Sequence, residues 1–204
     1  MKTESEDIIF VTVHRKGNGS NKMEGMVSIN TSALNNPFCE SMQKGNGICK
    51  HCYSRKQERA YPAVRRCYAR NGEIMSSRVI PFDELPRINA AFVRFSAFGE
   101  LINDNHLINL KNICIVNPFV RFTLWTKRKD IVEKYRKLGA LPTNLKLIYS
   151  NPRLDHIIET PEGWDGVFNV VTTEKEQINC VGKCMNCLRC YAGEEIGCIV
   201  ERIK

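Results

Sequence analysis

The spacing of apolar positions changes along the chain. Ile8-Ile9-Phe10-Val11-Thr12-Val13 reads as a strand, Gly17-Asn18-Gly19-Ser20 as a turn and Met26-Val27-Ser28-Ile29 as a returning strand. Four short β-type runs follow, over residues 93–98, 120–125, 145–150 and 167–172. Between the first two, residues 104–116 set Leu107, Leu110, Ile113 and Cys114 at helical spacing. Between the second and third, residues 127–138 do the same with Ile131, Val132, Tyr135 and Leu138, and Gly139 ends the pattern. The third connection is irregular, with Pro152, Pro161 and Gly163. Strands alternating with helices require crossovers and therefore a parallel sheet. The predicted fold is α/β: a partial β/α barrel or small parallel sheet of about four βα units, with a β-rich N-terminal segment and cysteine-rich metal-binding loops. Phe92-Val93-Arg94-Phe95-Ser96 recurs as Phe119-Val120-Arg121-Phe122-Thr123, which predicts the same strand position for both segments.

A single domain over residues 1–204 accommodates this pattern. Its parts are the N-terminal strands, cysteine loop and basic stretch (1–91), the β/α core (92–175), and a cysteine cluster with a tail (176–204). Residues 35–54 read as loop. The basic stretch after them, with Arg55, Lys56, Arg59, Arg65, Arg66 and Arg70, is interrupted by Pro62, which predicts a broken helix or two short ones.

Composition adds two constraints. At 204 residues and 43% apolar content, the chain can bury one ordinary core. A net charge of +8 points to an anionic partner such as nucleic acid or nucleotide. The acidic N-terminus Met1-Lys2-Thr3-Glu4-Ser5-Glu6-Asp7 does not read as a secretory signal, and no run is apolar enough to span a bilayer. A cytoplasmic protein is expected. In that reducing compartment, clustered members of its 10 cysteines read as metal ligands, not disulfides.

Cys180-x3-Cys184-x2-Cys187-x2-Cys190 is the strongest such cluster. Four thiolates suit a soft cation, and an iron–sulfur cube needs one ligand for each of four irons. The spacing is the bacterial ferredoxin run read backwards. It also differs from zinc ribbons, whose two knuckles lie farther apart. The expected cofactor is an iron–sulfur cluster of the [4Fe-4S] type, with zinc as the alternative. Cys39-x9-Cys49-x2-Cys52 forms a second candidate group, or else supplies one ligand to the C-terminal cluster from across the fold. Cys67 reads equally as ligand or core, Cys114 and Cys198 as core, and His51 as solvent-exposed.

Asn35-Asn36-Pro37-Phe38-Cys39, Cys49-Lys50-His51-Cys52-Tyr53, the runs 94–101 and 122–127, and the terminal cysteine cluster followed by Tyr191 together resemble the phage gene-product-eighty-eight-like family. The resemblance covers most of the chain and implies a phage or prophage protein, acting in the host cytoplasm. A looser resemblance is to radical SAM enzymes. Phe95-Ser96-Ala97-Phe98-Gly99-Glu100-Leu101 is similar to their glycine–glutamate motif, which holds the amino group of S-adenosylmethionine. Their cluster loop is C-x3-C-x2-C and precedes this strand. Here that position carries C-x9-C-x2-C, and the matching spacing falls after the sheet, where Cys190 adds a fourth thiolate. The resemblance thus implies cluster binding and a partial barrel. Radical chemistry is not carried over, and S-adenosylmethionine stays open as a further cofactor.

Ligands of parallel β/α sheets sit at the carboxyl ends of the strands. That makes Glu100 and Lys127 candidate cofactor-binding residues, with Asn151 beside them. Arg55, Arg59, Arg65 and Arg66, interleaved with Tyr53, Tyr61 and Tyr68, are candidate nucleic-acid contacts, with a solvated helix face as the alternative. The functional expectation is an iron–sulfur protein with a redox or cluster-assisted role on a nucleotide or nucleic-acid substrate. The rival is a zinc-stabilised nucleic-acid-binding or interaction module without catalysis.

Overall fold

The chain alternates extended apolar runs with amphipathic helices, and the extended runs pair side by side in sequence order. The computed structural model describes residues 9–15, 21–173 and 178–203. Its strands are β1 (Val11–Val13), β2 (Val27–Ile29), β3 (Phe92–Phe95), β4 (Arg121–Thr126), β5 (Leu145–Leu154), β6 (Gly166–Val171) and β7 (Gly197–Arg202). They form one seven-stranded sheet in the order β1-β2-β3-β4-β5-β6-β7. Only the β1–β2 pair is antiparallel; β2 to β7 run parallel. The expected turn at 17–20 lies outside the described residues.

Seven α-helices lie among the described residues: α1 (Pro37–Gln43), α2 (Tyr53–Ala60), α3 (Pro62–Ser77), α4 (Asp104–Val116), α5 (Lys129–Arg136), α6 (Cys184–Cys187) and α7 (Arg189–Ala192). Pro62 splits α2 from α3 as expected, because its ring cannot continue a helix but fits the first turn of a new one. Both expected N-terminal strands form, as the shorter β1 and β2. Residues 35–54, expected as loop, contain α1 and a 3-10 helix over Ile48–His51. Asn36 nucleates α1 by accepting from the amides of Phe38 and Cys39, with Pro37 at the first helical position.

Side chains alternate across the sheet. Val93 and Phe95 of β3, Phe122 and Leu124 of β4, and Leu147 of β5 point to one face. There they meet Met75 of α3, Leu107, Leu110 and Ile113 of α4, and Ile131 and Val132 of α5. Each fully buried side chain of this size contributes about 1.5–3 kcal/mol of transfer free energy. Trp125, Ile148, Phe168 and Ile199 point to the opposite face, which the C-terminal cysteine segment covers. The internal echo is offset from the true pairing. Phe92 pairs with Arg121 and Arg94 with Thr123, while Phe119 precedes β4 and is 96% exposed. The offset of two residues preserves the face of each side chain, so Arg94 and Arg121 still share one.

Candidate functional site

The carboxyl ends of β2, β3 and β4 are fastened together by a polar network. After β2, Asn30 accepts from the Phe98 amide (3.1 Å) and donates to Ser28 and Tyr68. Thr31 N donates to Phe98 O, and the Asn36 side chain donates to Glu100 O at 2.8 Å. After β3, Ser96 has φ 57° and Gly99 φ 72°. Ser96 is a non-glycine residue in the left-handed region, a strained conformation that clusters at functional sites.

Glu100 is buried within this network. One carboxylate oxygen accepts from the Thr126 hydroxyl and the Leu101 amide, and the other from the Lys127 amide at 2.8 Å. Lys127 Nζ reaches Ser150 Oγ at 3.2 Å. Burial alone would lower the Lys127 ammonium pKa, but Cys49, Glu100, Cys39 and Cys52 around it outweigh burial and raise it. The 3-10 helix and α1 thus bring three thiols from the loop after β2 to a cation at the end of β4. Burial pushes the Cys39 and Cys49 thiols upward, with Lys127 opposing the shift.

The C-terminal cysteines gather elsewhere, on the sheet face opposite α3–α5. Cys180 and Cys190 pack against Trp125, Ile148 and Ile199, and Cys184 and Cys190 against Tyr191, Met23 and Met26. The Thr123 hydroxyl donates to Cys190 O at 2.9 Å, which ties α7 to the middle of β4. Burial raises the Cys184 thiol and pushes Cys190 up to about 12, against the opposing field of Arg94. Cys187 is exposed on α6. Arg94 stacks over the Trp125 ring at 4.0 Å, and Lys22 pairs with Glu201 at 2.5 Å. Arg94 and Trp125 were not singled out from sequence. An arginine inside the apolar run Phe92-Val93-Arg94-Phe95 was the available signal, because a charge in a buried strand needs a reason.

The remaining expectations divide. Cys114 is buried as expected, and His51 is exposed. Cys67 is half-buried against the cluster that includes Tyr68 and Tyr191. Cys198 is half-buried, and its sulfur accepts from Asn169 at 3.2 Å. Asn151 does not join Glu100 and Lys127. Its side chain donates to His156 O and Asn169 Oδ1, a structural link between β5 and β6. Arg55 turns inward with Glu58 on the buried face of α2 and donates to Ala33 O at 2.9 Å. Arg59, Arg65 and Arg66 are exposed beside Lys56 and Tyr61. Among the described residues, no three His, Cys, Asp or Glu side chains are grouped closely enough to hold a metal ion. The thiols meet as neighbours of shared cations. Open clefts of about 640 and 550 Å³, near Leu138 and near Asp104, contain no cysteine.

A family model described as Gene product 88 matches residues 13–193. The chain belongs to this family. The match takes in both cysteine groups, the strand-end network and every strand from β2 to β6, which is the span over which the motifs carry the family resemblance. No curated protein and no solved structure matches the chain. No described helix is long and apolar enough to cross a membrane.

Proposed function

We propose that this member of the Gene product 88 family binds an iron–sulfur centre through its clustered cysteines. We further propose that the centre has a redox or cluster-assisted role on a nucleotide or nucleic-acid-like substrate. The observation that carries the reading is the cation beside each thiol group: Lys127 beside Cys39, Cys49 and Cys52, Arg94 beside Cys184 and Cys190, and Lys22 beside Cys180 and Cys184. A thiolate-ligated cluster is an anion, and in a partly desolvated site it needs positive charge close by. The softness of the thiolates and the nearby countercharge support such a group. When bound, the cluster would supply one-electron chemistry. The chain's own residues hold it, and each ligating thiol loses its proton to solvent.

The unreversed strand order is that of a barrel wall and not of a doubly wound sheet, which favours a partial barrel. The exposed Lys56, Arg59, Arg65 and Arg66 favour an anionic partner, whose binding would weaken steeply with salt. A reducing cytoplasm suits free thiols. Anaerobic purification tests the reading. The expected product is a brown protein with broad absorbance near about 400 nm and both iron and sulfide. Colourless protein carrying zinc alone rejects it and leaves the zinc-stabilised module.

A further inference from the structure

The face under the C-terminal cysteine segment contains three buried polar atoms that the fold leaves without hydrogen-bond partners among the described residues. They are Arg94 Nε, Trp125 Nε1 and the Tyr191 hydroxyl. Trp125 is 6% exposed and Tyr191 3%, so water does not readily satisfy them. All three belong to one place. Arg94 lies 4.0 Å over the Trp125 ring, and the Tyr191 hydroxyl faces its guanidinium outside good hydrogen-bond geometry. Trp125 packs with Cys180 and Cys190, and Tyr191 with Cys184 and Cys190. A buried donor without a partner costs about 1–3 kcal/mol, so three converging on one spot call for an acceptor there.

We infer that this compartment is a second cluster site, separate from the Cys39/Cys49/Cys52 group. Cys180, Cys184 and Cys190 are its thiolate ligands, and Arg94, Trp125 and Tyr191 donate hydrogen bonds to its sulfur atoms. The inference rests on the iron–sulfur reading above. Three thiolates serve three irons of a cube, and the fourth takes its ligand from outside this group. Cys187, exposed on α6, is not a ligand in this arrangement. On loading, each of the three thiols gives its proton to solvent as a sulfur–iron bond forms. Reduction adds one electron to the cluster, and the Arg94 charge stabilises the more negative state. Arg94 is therefore a positioning and tuning residue.

The full chain, reconstituted anaerobically with iron and sulfide, provides the test. Iron and sulfide are assayed per chain, and dithionite-reduced samples are examined by paramagnetic resonance with a redox titration. C39A/C49A/C52A and C180A/C184A/C190A should each retain about half the iron of the parent, and C187A should retain all of it. In the C39A/C49A/C52A background, Arg94→Gln should keep the iron but shift the midpoint potential downward, and Arg94→Lys should restore part of the shift. If C180A/C184A/C190A holds full iron while C39A/C49A/C52A holds none, the second site is overturned and the iron–sulfur reading stands. If the parent takes up no iron and sulfide, both fail. Loss of half the iron in C187A overturns the ligand assignment, and an unmoved potential in Arg94→Gln overturns the donor role. Should the triple C-terminal variant not fold, Cys184→Ser alone, judged against C187A, decides the same point.

Discussion

Gly99 shows how tightly the strand-end network is built. Its φ is 72°, and an added Cβ would lie 2.4 Å from the Thr31 carbonyl oxygen and 2.4 Å from its hydroxyl. Both the backbone angle and the space therefore exclude a side chain. Gly99→Ala should cost about 2–4 kcal/mol, because neither the loop after β2 nor the loop after β3 can withdraw without breaking the bonds from Asn36 and Thr31 to Glu100. Chemical denaturation should show that loss; an unchanged midpoint would mean that the two loops are not in contact in solution. The neighbouring Glu100 has three donors on its two oxygens, so its carboxylate is fixed in place before any ligand arrives.

At the scale of elements, α1 is a seven-residue helix with no buried residue, so little packing holds it. Its stability comes from its start. Asn36 caps it through the Phe38 and Cys39 amides and anchors it to the loop after β3 through Glu100 O. Cys39 lies one turn inside that cap. Asn36→Ala should lower overall stability by about 1–2 kcal/mol. It should also speed loss of iron from the Cys39/Cys49/Cys52 group to a competing chelator, leaving the C-terminal group unaffected. Equal rates in the variant and the parent would show that α1 does not position Cys39. The cap was legible in the sequence as Asn36-Pro37. The cysteine spacing around it reads more readily as loop, and the helix is too short to show a period.

For the whole molecule, the buried titratable groups bracket the pH range of stability. His106 is buried, and its pKa is lowered to about 3 by burial. That of His14 is lowered to about 4, by burial first and then by Arg94. The unfolded chain takes up these protons near 6.5, before the fold does, so stability falls as pH drops from 6.5 through 4 and 3. His106 alone accounts for a loss on the order of 5 kcal/mol at the acid limit. At the other end, the thiols of Cys39, Cys49, Cys184 and Cys190 are raised above 9.0 by burial. The unfolded chain loses those protons first, so stability of the metal-free protein also falls as pH rises above 9.0. Urea midpoints should therefore peak between about 6.5 and 9. His106→Gln should flatten the acid limb, and cluster loading, which removes the thiol protons, should flatten the alkaline one. An acid limb unchanged in His106→Gln would mean that His106 is not held neutral in the fold.

By itself the sequence determined the strand and helix periods of the core, the break at Pro62, the burial of Cys114, the candidate cysteines and the family. Each of these is written in neighbouring residues: a period of two or near four, a ring without an amide hydrogen, a fixed spacing of thiols. Convergence was decided only by the tertiary structure. Pairing of β2, β3 and β4 carries Cys49, Glu100 and Lys127 to one end of the sheet, although they are far apart in the chain. The same pairing turns Arg94 toward Cys184 and Cys190, and packing of α2 turns Arg55 away from solvent while Arg59 remains in it. Local periodicity fixes which face a side chain takes within its own element. What that face meets depends on long-range register and crossover, and no short window of sequence contains those.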